Sequence, residues 1–372
     1  MKRALSFGDR ESALVLAGTG LIAATYGLVR LAYGLFLPDI RASVPLGTAV
    51  AGYVSTGASV AYCAGALVGI AVPTRPRLLV VGAIATAAIG AAGMALAPGV
   101  ALLVPATVLA SAGAGLASPG LVGIVARNLP AGRVDPAQAR VNAGTGPGLV
   151  AAGLLALLLT QWRLGFVVAA VVTVGTGLAV LLLDRPAAPA ARPTRSRPDA
   201  ALVVPGLGAV LLGTASAVVW TYGRAHLVDA GAGETASVAA WIAVGVGGTA
   251  TVLTARALSR RSARAAWAAT TAVTAVAIAA LGVAADLLAV AVLACGLFGW
   301  GFVAASSALI ARATERAPGS AASGTSVLFV ALVLGQAVGS SAAGALAGGI
   351  GLGTTFLLAA VVCGLAAATA TA

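Results

Sequence analysis

The chain has 372 residues, of which 60% are hydrophobic and 9% charged, and its net charge is +12. A soluble domain usually carries about 25% charged residues, so this composition excludes a water-soluble globular protein and favours one whose outer surface faces lipid. The 49 glycines fit closely packed membrane helices.

Twelve apolar segments are each long enough to cross a bilayer, which takes about 20 residues. In chain order they lie at 13–37, 48–72, 78–97, 100–126, 140–160, 164–183, 201–225, 236–255, 266–285, 287–311, 321–347 and 351–371. Residues 184–200 are rich in Pro and Arg, which predicts a cytoplasmic linker. The sequence therefore predicts an all-α membrane protein with two pseudo-symmetric six-helix bundles, 1–183 and 201–372.

The basic residues alternate between loops. Most fall on one side of the predicted membrane, whereas Arg41, Arg163 and Arg224 fall on the other. Because basic loops stay in the cytoplasm, both termini are expected to be cytoplasmic, in a bacterial inner membrane. The positive charge thus reflects topology, and no nucleic-acid partner is expected.

Two patterns occur in both halves of the chain. Residues 25–31 (TYGLVRL) and 221–227 (TYGRAHL) share the sequence TYGxx[R/H]L, and a Gly-x-Gly occurs at 113–115 and again at 299–301. Similar patterns in corresponding helices indicate a duplicated six-helix unit, a known transporter arrangement.

Three stretches resemble bacterial permeases of the major facilitator superfamily: residues 30–38 (RLAYGLFLP), 118–148 with its Ser-Pro and VNAGTGPG sequences, and 161–166 (QWRLGF). The resemblance implies a fold in which helices 1, 4, 7 and 10 surround a central cavity. It also implies secondary active or facilitative transport of a small solute by alternating access, by a monomer without a cofactor. Residues 69–77 (GIAVPTRPR) lack the acid usual in that loop, and the position near Leu109 lacks the Arg of many drug/proton antiporters.

Arg30 is the main candidate for substrate binding. A cation within a spanning helix costs about 2.5–3.5 kcal/mol, and Tyr26, Arg30 and Tyr33 are spaced to share one helix face. Since the guanidinium fork binds carboxylates, this pattern predicts an organic anion. The alternative is that Arg30 reaches the external interface or pairs with Asp39.

Further candidates come from polar and aromatic side chains in the predicted spans. The substrate-binding candidates are Tyr222, Asn142, Gln336 and Trp300, although apolar packing is an alternative for Trp300. His226, the only histidine, is the coupling candidate because imidazole titrates near neutral pH; the alternative is a residue in an external loop. Trp162, Trp241 and Trp267 are interpreted as interface anchors.

Other functions remain open at this point. A multidrug or metabolite efflux permease and a non-transporting sensor would share the fold. A membrane enzyme would need clustered His, Asp, Glu or Cys within the spans; all ten acids lie in loops or at helix ends, and no enzymatic or metal site is expected.

Overall fold

The computed structural model describes residues 7–159, 161–185, 200–316 and 321–371, and no strand occurs in these ranges. Helix α1 consists of Phe7–Ile22, the π-helical Ala23–Leu31 and Ala32–Ser43, and α5 consists of Ala131–Asn142 and Thr145–Leu158. The other helices are α2 Thr48–Ala71, α3 Pro76–Leu96, α4 Val100–Asn128, α6 Trp162–Leu183, α7 Val203–Asp229, α8 Glu234–Ser259, α9 Ala263–Val283, α10 Leu288–Arg316, and a final helical stretch Ala321–Ala368.

Gly351 divides the final helical stretch into two helices. Its φ of 76° and ψ of 161° belong to a region that essentially only glycine adopts. We call the helix before it α11 and the helix after it α12. Eleven helices of the described ranges are long and apolar enough to span a membrane. Because the last of these is broken at Gly351, the predicted fold of twelve spanning helices is confirmed.

The boundaries differ most from the prediction at two helices. Helix α1 continues through Pro38 to Ser43, and α5 begins at Ala131. Of the predicted linker, Asp184, Arg185 and Ala200 are described, and residues 186–199 lie outside the described ranges.

We name the two ends of the bundle the Asp39 end and the Asp184 end. At the Asp184 end, the buried carboxylate of Asp184 accepts hydrogen bonds from Arg77 Nη1 at 2.9 Å and Asn128 Nδ2 at 2.7 Å, and it pairs with Arg127. These contacts join α3, α4 and α6. Asp184 therefore gives these arginines the carboxylate that residues 69–77 lack, and it belongs to the bundle rather than to the predicted linker.

The most extensive contacts between helices before and after the linker are those of α2 with α11, of α5 with α8, and of α1 with α7. Glycine makes the last contact possible, since a Cβ on Gly34 would collide with the backbone carbonyl of Trp220. Small residues allow such close approach of membrane helices.

Two tryptophans lie in the core rather than at the membrane interface. Trp241 is 2% exposed and packs edge-on against Trp220, with ring centroids 6.3 Å apart. Trp267 is fully buried and its Nε1 donates to the carbonyl of Ala366 at 2.9 Å. The prediction that both are interface anchors is wrong, because each lies between packed helices of the same bundle.

Candidate substrate site

The site is centred on the π-helical part of α1, which contains Tyr26, Gly27 and Arg30. π-Helical turns are rare and frequently occur at functional sites. Arg30 lies about 13 residues before the end of α1 at Ser43, a distance of about 20 Å along the axis. Its side chain therefore cannot reach the Asp39 end, and Asp39 pairs with Arg224 instead. Neither alternative considered for Arg30 agrees with this geometry.

The guanidinium of Arg30 contacts neutral groups. Its Nη2 donates to Gln336 Oε1 at 3.0 Å and, more weakly, to Ser59 Oγ at 3.4 Å. Its Cζ lies 4.9 Å from the ring centroid of Tyr62, whose hydroxyl is 2.8 Å from that of Tyr26. None of the ion pairs among the described residues includes Arg30. An aromatic face and two neutral acceptors thus take the place of a counter-ion.

The helices before the linker, α1–α6, form the first group of helices, and those after it, α7–α12, form the second group. A cavity of about 30 Å³ adjoins Arg30 between these two groups of helices. Its walls come from α1, α2, α7 and α11; besides Arg30 they are Leu31, Tyr33, Gly34, Ser55, Ala58, Ser59, Ala217, Trp220, Thr221, Gln336 and Ser340. A volume of about 30 Å³ holds only one or two waters. The space beside Arg30 is therefore too small for a metabolite as the helices are arranged here.

Four of the seven predicted substrate-binding residues lie together at the Arg30 cavity: Arg30 itself, Tyr26, Tyr33 and Gln336. Tyr26 meets Arg30 through Tyr62, and Gln336 contacts Arg30 directly. Tyr33 lines the cavity and its hydroxyl donates to the carbonyl of Ala51 at 3.2 Å. The three α1 side chains thus all face α2, as their spacing predicts.

The structure places the other three away from this cavity. Tyr222 donates to the carbonyl of Thr48 at 2.9 Å, nearer the Asp39 end. Asn142 is exposed, and its Oδ1 accepts from Gln138 Nε2 at 3.1 Å. Trp300 Nε1 donates to Thr254 Oγ1 at 2.9 Å, between α10 and α8.

His226 is buried among helices of the second group. Its Nε2 is 3.0 Å from the carbonyl of Leu281, and its ring stacks on Phe356 with centroids 4.6 Å apart. His226 is 9% exposed within α7. The alternative of an external loop residue is therefore wrong, and the structure shows no contact between His226 and the Arg30 cavity.

Helix α2 contributes a part of the site that the sequence did not predict. Ser55, Ser59 and Tyr62 line or support the cavity. They have the same i, i+4, i+7 spacing as Tyr26, Arg30 and Tyr33, which places them on one face of α2. That repeated spacing is the signal by which they could have been found.

Arg224 joins the two groups of helices at the Asp39 end. Its side chain is 2% exposed, pairs with Asp39, and donates to the carbonyl of Leu35 at 2.8 Å and to Ser237 Oγ at 3.2 Å. The contacts link α7 to α1 and α8. A second cavity of about 310 Å³ lies beside this pair, with Arg163 and Glu234 also in its wall.

A sequence model of the Major Facilitator Superfamily matches residues 16–323. The chain belongs to the major facilitator superfamily. It is a membrane solute transporter, as this membership and its bundle of spanning helices indicate. No curated protein sequence matches the chain significantly.

Several solved transporters share the fold. A bacterial homolog of the human lysosomal transporter Spinster, inward-facing and unoccupied, is 16% identical with a TM-score of 0.77 over 97% of this chain and 96% of that one. The D-xylose–proton symporter is 16% identical with a TM-score of 0.76 over 97% and 96%. The nucleoside transporter NupG, solved as a point mutant, is 15% identical with a TM-score of 0.75 over 96% and 99%. At these identities the likeness shows the fold alone.

Proposed function

We propose that the chain carries a small organic anion across the bacterial inner membrane by alternating access, with Arg30 binding the carboxylate of the solute. The observation that carries this proposal is the position of Arg30. It is a guanidinium deep in a spanning helix, beside a cavity between the two groups of helices, with no acidic partner among the described residues.

The energetics of the site favour an anion. A cation in the membrane interior costs several kcal/mol unless it is compensated. The Tyr62 face and the neutral acceptors Ser59 and Gln336 compensate only in part. A carboxylate would supply the opposite charge and two acceptor oxygens in the geometry that a guanidinium prefers.

Alternating access requires parts of the protein to move, and we propose that the two halves of the chain move relative to each other. Residues 1–183 together with Asp184, and residues 201–372, act as two six-helix bodies joined by a cytoplasmic linker that follows Asp184, in a monomer with both termini in the cytoplasm. The contacts of α2 with α11 and of α1 with α7 support this division, because the cavity lies where they meet. Separation of the bodies at either end would open the Arg30 site to one side of the membrane. We also propose that the chain is a carrier and not an enzyme, because the Arg30 cavity lies where the two six-helix bodies meet.

Uptake by purified protein in liposomes tests the proposal. Radiolabelled acetate, lactate, pyruvate, succinate and benzoate are offered to wild type, Arg30→Lys and Arg30→Ala. Wild type should take up at least one of these anions. Arg30→Lys should lower the rate by about tenfold, the equivalent of about 1.4 kcal/mol, because lysine keeps the charge but loses the fork. Arg30→Ala should reduce uptake to background.

Arg163→Lys is the matched control, since Arg163 lies near the Asp39 end and donates to the carbonyl of Ala97. It should retain wild-type uptake, and melting temperatures in detergent should show that each variant is folded. Uptake of no anion by wild type, or unchanged uptake by Arg30→Ala, would overturn the proposal. In the first case a non-transporting sensor of this fold would be favoured.

A further inference from the structure

The guanidinium of Arg30 bonds to Gln336 through Nη2 and keeps one buried donor without a partner among the described residues. Nε and Nη2 form one edge of the fork. Nη2 donates to Gln336 Oε1 at 3.0 Å, and Ser59 Oγ is its second, longer contact at 3.4 Å. Nε is buried and has no hydrogen-bond partner among the described residues. A buried donor without an acceptor is unfavourable, so this edge lacks one acceptor atom.

A carboxylate fits the edge better than an amide does. Two carboxylate oxygens accept from both donors of one guanidinium edge in parallel. An amide offers a single oxygen, because its other terminal atom is itself a donor. Gln336 can therefore satisfy Nη2 and leaves Nε unpaired.

We infer that Gln336 Oε1 occupies, in the solute-free carrier, the place of one oxygen of the transported carboxylate. This inference rests on the proposed function. An arriving anion takes Nε and Nη2 together and displaces Gln336. Gln336 is thus a positioning residue that acts through Arg30 and competes with the solute.

The displaced hydrogen bond has a structural role. It joins α1 to α11, two helices on opposite sides of the cavity. Solute binding therefore removes one of the hydrogen bonds that hold α1 and α11 together beside the cavity. In this way occupancy of Arg30 is linked to the separation of α11 from α1.

Propionate and propionamide are suitable probes because they reproduce the ends of glutamate and glutamine side chains. Trp220 lines the cavity, so binding can be followed by tryptophan fluorescence of the full-length protein in detergent. Wild type should bind propionate in preference to propionamide. Gln336→Leu should bind propionate about tenfold more tightly, because a competing hydrogen bond to a charged group is gone. Gln336→Glu should lose propionate binding, since its own carboxylate fills the edge.

The inference depends on whether Gln336→Leu strengthens or weakens the binding of propionate. An ordinary binding residue would weaken binding when replaced by leucine, so equal or weaker binding by Gln336→Leu would overturn the inference while leaving the proposed function in place. Ser340→Ala is the matched control: Ser340 also lines the cavity on α11, but bonds to Thr221 rather than to Arg30. If wild type binds neither propionate nor any anion of the uptake panel in preference to the corresponding amide, the proposed function itself fails.

A second measurement tests, without any solute, whether the Arg30–Gln336 hydrogen bond holds the two groups of helices together. Cys63 on α2 lies against the carbonyl of Val330 on α11 at 3.8 Å, and is buried. In a protein with Cys295→Ala and Cys363→Ala, its alkylation by N-ethylmaleimide reports on the contact between α2 and α11. Gln336→Leu should raise this rate several-fold, and Ser340→Ala should raise it less. Equal alkylation rates in wild type and Gln336→Leu would show that the hydrogen bond of Gln336 does not keep α2 and α11 in contact.

Discussion

Arg30 rests on an aromatic ring in the middle of the bundle. The face of Tyr62 on α2 lies 4.9 Å from its Cζ, and the Tyr62 hydroxyl is held by a 2.8 Å hydrogen bond with that of Tyr26 on α1. A desolvated cation–π contact contributes about 2 kcal/mol. Such support keeps the guanidinium in place while leaving its Nε–Nη2 edge available to an anion, which an acidic partner would not do.

Two substitutions of Tyr62 should separate the roles of its ring and its hydroxyl. Tyr62→Phe keeps the ring and loses the bond to Tyr26, which should cost about 1 kcal/mol. Tyr62→Leu also loses the cation–π contact and should cost about 2 kcal/mol more. Thermal unfolding in detergent should therefore rank wild type above Tyr62→Phe and Tyr62→Phe above Tyr62→Leu, and only Tyr62→Leu should impair anion uptake. Equal melting temperatures for the two variants would mean that the ring does not support Arg30.

Arg30 itself could be found from the sequence because a charge within an apolar span is conspicuous. Its partner Gln336 is 306 residues away, and no local pattern pairs positions so distant. The shared TYGxx[R/H]L pattern was misleading in this respect. Tyr26 meets Tyr62 deep in the bundle, whereas Tyr222 meets Thr48 near the Asp39 end. The side chains matched by sequence thus have different surroundings.

Among the helices, α1 departs most from what its sequence suggests. Apolar length predicts its position, yet the helix continues past Pro38 to Ser43 and contains nine π-helical residues. Hydropathy reports how much of a segment is apolar, and it carries no information about hydrogen-bond register. The longer helix places Arg30 deeper and brings Asp39 alongside α7.

The Asp39–Arg224 pair should hold α1 and α7 together at the Asp39 end. Asp39→Asn leaves the buried Arg224 without a counter-charge. Loss of one partner from a buried pair typically costs about 3–5 kcal/mol, and less is expected here because the Asp39 side chain is 31% exposed. The Asp39 end should open more often. A cysteine at Ser55, in the wall of the central cavity, should then react several-fold faster with a membrane-impermeant thiol reagent, in a protein whose three native cysteines are replaced by alanine.

Glu234→Gln provides the control for this experiment. Glu234 is exposed and lies in the wall of the same outer cavity, but forms no ion pair with Arg224. Its substitution removes one negative charge from that region and should leave the labelling rate unchanged. Equal acceleration by both variants would attribute the effect to the charge of the cavity rather than to the tie between α1 and α7.

For the whole molecule, the distribution of arginine sets the expected orientation. At the Asp39 end the described arginines are Arg41, Arg163 and Arg224, and many more lie at the Asp184 end. Several of the latter have structural partners: Arg10 bonds to the carbonyl of Leu183, and Arg264 to those of Ala370 and Thr371. The fold was predictable from this alternation and from apolar length, because both follow directly from the cost of placing polar groups in lipid.

Labelling in intact bacterial cells tests the orientation. Asp286 lies in the exposed loop between α9 and α10 at the Asp39 end, and Arg260 lies in the exposed loop between α8 and α9 at the Asp184 end. Each is replaced by cysteine in the cysteine-free protein. Because basic loops are retained in the cytoplasm, an impermeant maleimide should label Asp286→Cys in intact cells and Arg260→Cys only after permeabilisation. The two loops serve as controls for each other, since both are exposed and only their expected sides differ. The reverse pattern would place the arginine-rich end outside the cell, and the Asp39–Arg224 tie would then face the cytoplasm.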